Sequence, residues 1–181
     1  MKHLTPIYDI ANQFAQYTQT SIFITGNAGT GKTTFLRKLR STTQKQIAVV
    51  APTGVAAINA GGVTIHSFFQ LPFTPFVPTI EGEHNLMSKI KMTSMRRKVI
   101  QELELLVIDE ISMVRADLLD EIDTVLRHIR YRKNLPFGGV QVIFIGDLYQ
   151  LPPVVTPDVQ ETLAPYYEGF FFFNSKVIQQ Q

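Results

Sequence analysis

GNAGTGKT, residues 26–33, is the stretch that decides the fold, because it satisfies the pattern G-x-x-x-x-G-K-[ST]. The residues before it, Ser21 to Thr25, form a short apolar run typical of a buried strand, and Thr34 to Leu39 are typical of a helix. A strand, a glycine-rich loop and a helix in this order form the context in which the pattern binds phosphate. The glycines let backbone N–H groups turn towards phosphate oxygens, and the helix N-terminus adds its positive dipole end.

This loop predicts a nucleotide site in which two side chains have distinct roles. Lys32 is expected to reach the β- and γ-phosphates of ATP, and the hydroxyl of Thr33 is expected to hold Mg²⁺. The alternative, a glycine-rich turn that binds nothing, is disfavoured by the flanking strand and helix. The predicted nucleotide-binding residues are Gly26, Asn27, Ala28, Gly29, Thr30, Gly31, Lys32, Thr33 and Thr34.

Composition indicates one globular domain. The 181 residues are 45% hydrophobic and 18% charged, with a mean hydropathy of +0.07, which excludes wholesale disorder. The chain has no cysteine, which excludes disulfides and thiolate metal sites. A formal net charge of +2 permits contact with nucleic acid without arguing for it.

The N-terminal residues have no apolar core like that of a signal peptide, and no apolar run approaches the ~20 residues of a membrane span. We therefore expect an intracellular protein without a membrane partner, cytoplasmic in a bacterium and nuclear or mitochondrial in a eukaryote.

Short apolar runs alternate with helical segments along the rest of the chain, which predicts parallel strands joined by helices. Further strands are expected at residues 47–51, 105–108 and 140–145. Helices are expected at residues 6–17, 34–39, 55–60, 96–103 and 118–129. The predicted fold is an α/β domain with a central, mostly parallel sheet and helices on both faces.

Three segments carry more specific expectations. Residues 71–83 contain three prolines and Gly82, which predicts a loop without regular elements. The helix at 96–103 begins with basic residues at the wrong end of its dipole, which leaves another use for those charges open. The helix at 118–129 is amphipathic, and its predicted polar side consists of Asp117, Asp120, Glu121 and Asp123.

Asp109 and Glu110 end the apolar run at 105–108 and predict the second half of the nucleotide site, since ligands of α/β sheets bind beyond the carboxyl ends of strands. Asp109 is predicted to hold Mg²⁺ together with Thr33. Glu110 is predicted to orient and deprotonate the water that attacks the γ-phosphate. The alternative is a pair of solvated acids at a strand end.

Two further residues are candidates with plainer alternatives. Gln150 follows the run at 140–145 and is predicted to reach the γ-phosphate, although a proline-stopped strand end explains the segment equally well. His66 lies among hydroxyl residues and suits contact with bases and phosphates, but a structural histidine is the alternative. Phe68, Phe69 and residues 170–173 are expected in the core.

The motifs together resemble the Pif-type (petite integration frequency) DNA helicases of superfamily one. The resemblance rests on residues 26–34, 51–57, 62–69, 107–114 and 146–153, in the order and spacing of successive helicase motifs. Residues 117–141 also resemble the segment peculiar to that family, as do residues 171–177.

The resemblance implies a RecA-like domain that binds ATP and Mg²⁺ and moves along single-stranded DNA from 5′ to 3′, in genome maintenance such as DNA repair, recombination or telomere maintenance. It assigns catalytic roles to Lys32, Glu110 and Gln150. The residues that it implies as lining the DNA strand are Pro52, Thr53, Gly54, Thr64, His66 and Ser67, with Leu151 and Pro152 near the coupling of the two sites.

The resemblance also implies that residues 1–181 form the first of two RecA-like motor domains, with the second domain as the partner that completes the ATP site. We expect a monomer whose 181 residues alone hydrolyse ATP barely or not at all. Where the family has an adenine-reading glutamine, this chain has Tyr8-Asp9, with Gln13 and Gln16 nearby. A free-standing P-loop nucleotide-binding module remains the alternative, and a small-molecule kinase is disfavoured because Glu110 favours hydrolysis.

Overall fold

A parallel sheet of five strands runs through the centre of the computed structural model, which describes residues 6–27 and 29–180. The strands lie in the order β1-β5-β4-β2-β3, and every neighbouring pair is parallel. Their bounds are β1 (Ile22–Thr25), β2 (Ile47–Ala51), β3 (Val63–Thr64), β4 (Leu105–Ile108) and β5 (Gln141–Gly146). The four predicted strands are confirmed, and the two-residue β3 is an addition that is too short to give a periodic signal.

Helices connect the strands, as the alternating pattern predicts. They are α1 (Pro6–Tyr17), α2 (Lys32–Thr42), α3 (Gly54–Ala60), α4 (Ile65–Phe69), α5 (Ile80–Lys89), α6 (Ser94–Glu102), α7 (Ala116–Ile129), α8 (Pro157–Leu163) and α9 (Lys176–Gln179). Short 3-10 helices cover Ile111–Met113, Pro136–Gly139 and Phe172–Asn174. Within the described ranges, no helix is both long enough and apolar enough to cross a membrane.

The sheet is covered on both faces because side chains of consecutive strand residues point to opposite sides. Leu105 and Val107 of β4 pack with α1 and α2 in one apolar cluster. Leu106 and Ile108 belong to a larger cluster on the other face, where α7 supplies most of the helical contacts. The predicted arrangement of helices on both faces of the sheet is confirmed.

The prediction of an irregular segment at residues 71–83 is wrong at its C-terminal end, because α5 begins at Ile80. Thr79 caps this helix by accepting a hydrogen bond from the N–H of Gly82 at 3.1 Å. A Cβ on Gly82 would lie 2.0 Å from the carbonyl oxygen of Val77, so this glycine permits a close approach within the first turn. A glycine in the first helical turn was mistaken for a helix breaker.

The predicted polar side of α7 is present, but its four acidic residues are buried and do not face solvent. Asp120 accepts hydrogen bonds from the backbone N–H groups of Lys176 and Val177, both at 2.9 Å, and from the hydroxyl of Tyr167 at 2.8 Å. Asp123 accepts from Arg127 at 2.7 Å and from a backbone N–H in the following turn. The C-terminal segment covers this side of α7, and its backbone donors replace water around the carboxylates.

The phenylalanines divide between core and surface. Phe69 and Phe172 are buried, as expected, whereas Phe173 is 39% exposed. Phe68 is partly buried and packs against the larger cluster. The expectation of a core role therefore holds for part of this set.

Candidate functional site

The predicted site residues gather at one edge of the sheet, because all five strands are parallel and their carboxyl ends meet there. The phosphate half of this edge consists of the segments after β1, β4 and β5, which are residues 26–33, 109–110 and 147–150. The threonine half consists of the segments after β2 and at β3, which are residues 52–54 and 64–67. The two halves share one rigid sheet.

The phosphate loop runs from Gly26 to the start of α2. Gly29 and Gly31 have φ angles of +80° and +96°, values that favour glycine. The hydroxyl of Thr30 donates to the carbonyl oxygen of Asn27 at 2.9 Å and closes the turn. Thr33 and Thr34 lie exposed on the first turn of α2, while Ala28 lies outside the described residues.

The side chain of Lys32 folds back onto this loop. Its ammonium group donates to the carbonyl oxygens of Gly26 and Asn27, the latter at 3.0 Å. These contacts hold a cation against the same loop whose glycines turn the backbone. The arrangement suits the binding of anionic phosphate oxygens.

Tyr8 joins α1 to the phosphate loop, a contact that the sequence did not predict. Its hydroxyl donates to the carbonyl oxygen of Thr30, and its ring stacks on Phe35 of α2 with centroids 6.1 Å apart. A Cβ on Gly31 would lie 2.8 Å from the Tyr8 hydroxyl. Tyr8 therefore supports the loop from the opening helix.

Asp109 and Glu110 follow β4 in a tight turn. The N–H of Asp109 donates to the carbonyl oxygen of Val50 at 2.9 Å, which continues the ladder between β4 and β2. Glu110 has a φ of +53°, in the left-handed region, and its N–H donates to the Asp109 carboxylate at 3.0 Å. This turn directs two consecutive carboxylates to the edge of the sheet.

The charges of the phosphate half influence one another. Burial raises the pKa of Asp109, while the N–H of Glu110 and the charge of Lys32 oppose this shift. Burial also raises the pKa of Glu110, with further contributions from the Asp109 and Asp147 carboxylates and opposition from Lys32. One cation and three carboxylates are thus within electrostatic reach of each other.

Gln150 lies beyond β5 and is held by Asp147. Its side-chain amide donates to the Asp147 carboxylate at 3.0 Å, and the N–H of Tyr149 donates to the other carboxylate oxygen at 3.1 Å. A Cβ on Gly146 would lie 2.8 Å from the side chain of Ile111, so the end of β5 lies directly against the turn that follows Glu110. Asp147 is buried, and it fixes an exposed glutamine beside the carboxylate pair.

The donor set of the phosphate half fits Mg²⁺. The Thr33 hydroxyl and the Asp109 carboxylate are hard oxygen ligands, and Mg²⁺ sites in nucleotide enzymes use one or two such ligands together with phosphate oxygens and water. The structure groups no three His, Cys, Asp or Glu residues into a metal-ligand cluster within the described ranges.

The threonine half presents two capped helix starts side by side. Thr53 caps α3 by accepting from the N–H of Ala56 at 3.2 Å, and Thr64 caps α4 by accepting from the N–H of Ser67 at 3.3 Å. The register between β2 and β3 pairs Ala51 with Thr64, which brings both caps to the same edge. The groups offered here are hydroxyls and backbone N–H donors without formal charge.

His66 adds an aromatic face to the threonine half. Its ring stacks on Phe73, with centroids 4.6 Å apart and an interplanar angle of 15°. Burial and the charge of Arg115 lower the pKa of His66, against the opposing charge of Asp117, so the ring is neutral at pH 7. Phe73 is 88% exposed. Both rings line a cavity of about 440 Å³ together with Pro52, Thr64 and Ser67.

Comparison with known proteins agrees with this geometry. A model of the PIF1-like helicase family matches residues 4–166, which is most of the chain. The chain belongs to the PIF1-like helicase family. It is 42% identical over 161 residues to the ATP-dependent DNA helicase PIF1 of Candida albicans, which covers 86% of this chain and 17% of that relative. It is 43% identical over 138 residues to human PIF1, which covers 74% of this chain and 20% of that protein.

Solved structures of PIF1-like helicases have the same fold. A Bacteroides Pif1 bound to single-stranded DNA matches with a TM-score of 0.90 and 45% identity, covering 100% of this chain and 40% of that one. A Bacteroides Pif1 in complex with ADP-AlF4 matches with a TM-score of 0.89 over the same shares. The RecA-like fold implied by the sequence motifs is confirmed. The chain spans 40% or less of the length of these relatives.

Sequence reasoning missed the residues that hold the threonine half and the loop that follows it. Arg96 of α6 donates to the carbonyl oxygens of Ser67 and Phe68 at 2.7 and 3.1 Å. Asp117 of α7 accepts from the N–H of Phe76 at 3.1 Å and forms a two-pronged ion pair with Arg115. Phe73 was also missed, although an aromatic residue in a proline-rich loop directly after the His66 motif was an available signal.

Proposed function

We propose that this chain is the ATP-binding motor domain of an ATP-dependent DNA helicase that moves from 5′ to 3′ along single-stranded DNA. The observation that carries the proposal is that one sheet edge holds both a phosphate loop with paired carboxylates and two capped helix starts with aromatic rings. A change at one half can reach the other through the ends of β4 and β2, which are neighbours in the sheet.

In the proposed nucleotide site, Lys32 binds the β- and γ-phosphates and the N–H groups of residues 26–33 surround their oxygens. Thr33 and Asp109 would hold Mg²⁺, which when bound neutralises charge on the phosphates. Glu110 accepts the proton of the attacking water, and its carboxylate lies near Asp109 and Lys32 as this role requires. Gln150, fixed by Asp147, contacts the γ-phosphate.

In the proposed DNA site, the backbone of the strand lies across the starts of α3 and α4. Hydroxyls and N–H groups of Thr53, Gly54, Thr64 and Ser67 contact phosphates, while Pro52 and His66 contact sugars and bases. Neutral contacts of this kind give binding without sequence preference. The related Bacteroides Pif1 has been solved with single-stranded DNA, which supports this assignment.

We further propose that residues 1–181 form the first of two RecA-like domains in a monomeric, intracellular helicase of genome maintenance. The much greater length of the relatives supports a larger motor. The second domain would complete the ATP site, so the 181 residues alone would hydrolyse ATP slowly; removal of an arginine at such a site lowers the rate by on the order of 10³ to 10⁵. DNA repair, recombination and telomere maintenance are the candidate processes.

The test is ATP hydrolysis and strand separation by the full-length protein. We expect single-stranded oligonucleotides to stimulate ATP turnover, and duplexes with a 5′ single-stranded tail to be unwound in preference to those with a 3′ tail. ATP turnover that does not respond to DNA would instead support a free-standing nucleotide-binding module. Preference for the 3′ tail would contradict the proposed direction.

A further inference from the structure

The most basic stretch of the chain lies outside both halves of the site. Five cations, Lys89, Lys91, Arg96, Arg97 and Lys98, occur between residues 84 and 101, and this interval contains no aspartate or glutamate. Because the whole chain has a formal net charge of +2, all other residues together carry −3. The positive charge of the protein is therefore concentrated at the end of α5 and the start of α6.

Four of these cations, which lie within ten residues of each other and are not held by contacts with α4, are called the basic patch: Lys89, Lys91, Arg97 and Lys98. The three lysines are exposed and Arg97 is half-buried. Within the described residues, the single ion pair of the patch joins Lys98 to Glu102 at 3.8 Å, with 74% and 60% of the two side chains exposed. A pair that exposed contributes little, so the patch is largely uncompensated.

The patch begins beside the proposed DNA site. Arg96 precedes Arg97 on α6 and donates to the carbonyl oxygens of Ser67 and Phe68, which places the start of α6 against α4. Arg97 lies in the first turn of α6, near the positive end of its dipole, where a cation destabilises a helix. The helix dipole therefore does not account for a cation at this position.

We propose that the basic patch binds the phosphate backbone of duplex DNA adjacent to the single strand held by the threonine half. Single-strand sites combine cations with aromatic faces, as His66 and Phe73 offer on the threonine half, whereas contacts with duplex phosphates need no aromatic face and gain most from cations. Residues 85–101 contain no aromatic side chain. The proposal rests on the proposed helicase function and adds a second DNA surface to it.

The test compares two variants of the full-length protein that change the net charge equally. The test variant is Lys91→Glu with Arg97→Glu, which leaves Arg96 and its contacts with α4 in place. The control is Arg132→Glu with Lys133→Glu, two exposed cations that follow α7. An acidic residue early in α6 suits the helix dipole, so the test variant retains its helix.

Binding to a blunt fluorescent duplex and to oligo(dT) is titrated over a range of salt concentrations. For the test variant we expect duplex affinity to fall about 10-fold, and the slope of log affinity against log salt to become shallower by about 2, at about 0.9 per phosphate contact. Oligo(dT) affinity and DNA-free ATP turnover should stay unchanged. The milder variant Lys91→Ala with Arg97→Ala should show the same pattern with smaller changes in duplex affinity and salt slope. It serves as the test if the glutamate variant fails to fold.

Three results would overturn the proposal. An equal loss of oligo(dT) and duplex affinity would assign the patch to the path of the single strand. Unchanged duplex affinity would make the patch a solvated surface, and an equal loss in the control variant would mean that only net charge matters. If the unmodified protein failed to bind oligo(dT) at all, the proposed helicase function would fail instead.

Discussion

The two halves of the site edge are held in place by different means. In the phosphate half, backbone geometry is the main means: positive φ angles at Gly29 and Gly31 shape the loop, and one at Glu110 directs the carboxylates, with added support from the Tyr8 hydroxyl. In the threonine half, side chains do this work: Thr53 and Thr64 cap the two helices, and Arg96 holds the carbonyl oxygen of Ser67 from 29 residues away. Asp117 holds Phe76, in the loop that follows this half, from 41 residues away.

The halves also differ in charge, and this difference agrees with the division of labour proposed for them. In the phosphate half, burial raises the pKa of Asp109 and Glu110 and the charge of Lys32 opposes both shifts, as is typical of groups at a reactive site. The threonine half presents neutral hydroxyls, N–H groups and an uncharged His66. A neutral surface can release a DNA strand at each step more readily than a charged one.

Glu110→Gln should give the largest effect and should be confined to the phosphate half. The amide keeps the shape of the side chain but cannot accept a proton, so ATP turnover of the full-length protein should fall by about 10² to 10⁴-fold. Affinities for ATP and single-stranded DNA should stay near those of the unmodified protein. Steady-state turnover and two binding titrations measure this, with the exposed Glu102→Gln as control. Near-normal hydrolysis would show that Glu110 is not the base.

Lys32→Ala should weaken ATP binding by about 100-fold, since charge-assisted hydrogen bonds to phosphate contribute about 1.5 to 3 kcal/mol each. Single-stranded DNA affinity measured without nucleotide should not change, because the hydrogen bonds of Lys32 go to loop carbonyls of the phosphate half. The matched control is Lys38→Ala on the same helix, whose ammonium pairs at 3.5 Å with Asp9 at the surface. A fluorescent ATP analogue measures the nucleotide affinity of both variants, and a fluorescent oligonucleotide measures their DNA affinity. If Lys38→Ala caused the same loss, general charge rather than the loop would explain it.

His66→Ala and Phe73→Ala should act on the threonine half alone. Stacking on a base contributes about 1 to 3 kcal/mol, so each substitution should weaken oligo(dT) binding by about 10-fold. The double substitution should cost less than the sum, because the rings stack on each other at 4.6 Å. Titrations with a fluorescent oligonucleotide and a nucleotide analogue test this. Equal losses of DNA and nucleotide affinity would make His66 a structural residue.

The contrast between the halves explains what could be predicted from the sequence. The phosphate loop is contiguous, and its glycines, Lys32 and Thr33 have roles fixed by their spacing. Asp109 and Glu110 could also be predicted, because the apolar run of a buried strand stops directly before them. Contacts such as Arg96 to Ser67 depend on how α6 packs against α4, and a sequence pattern carries no information about that packing.

The acidic residues of α7 show the same limit. Their spacing matched the polar side of an amphipathic helix, yet the C-terminal segment and the loop before α5 cover them. Asp117 and Asp120 accept hydrogen bonds from backbone N–H groups of those segments, and Asp123 accepts one from the N–H of Phe137 in the turn after α7. Helical periodicity shows that the two sides of a helix differ in polarity. Only the tertiary structure shows that both sides of α7 are buried.

Glu121 differs from its three acidic neighbours, because one of its carboxylate oxygens has no hydrogen-bond partner among the described residues. It is 2% exposed. Burial, followed by the nearby Asp117 carboxylate, raises the pKa of Glu121 to about 8, while Arg115 and Lys89 oppose the shift. The folded protein at pH 7 therefore holds a proton on Glu121 that the unfolded chain releases.

Glu121→Gln should give the smallest effect, a gain of about 1 to 2 kcal/mol in the free energy of unfolding at pH 7 to 8. A carboxyl with a raised pKa in the folded state loses stability as pH rises from its unfolded value towards about 8, and glutamine removes that loss. The gain should shrink as pH falls to 5, where the unfolded carboxyl also becomes protonated. Urea unfolding at pH 7 to 8 and at pH 5 measures the gain in the free energy of unfolding. Asp120→Asn, which disturbs a carboxylate with three donors, should instead destabilise the protein at both pH values.

A pH-independent loss of stability from Glu121→Gln would mean that Glu121 is ionised and paired. A fall in the oligo(dT) affinity of Glu121→Gln would mean that Glu121, like Asp117, helps to hold the region around the threonine half in place.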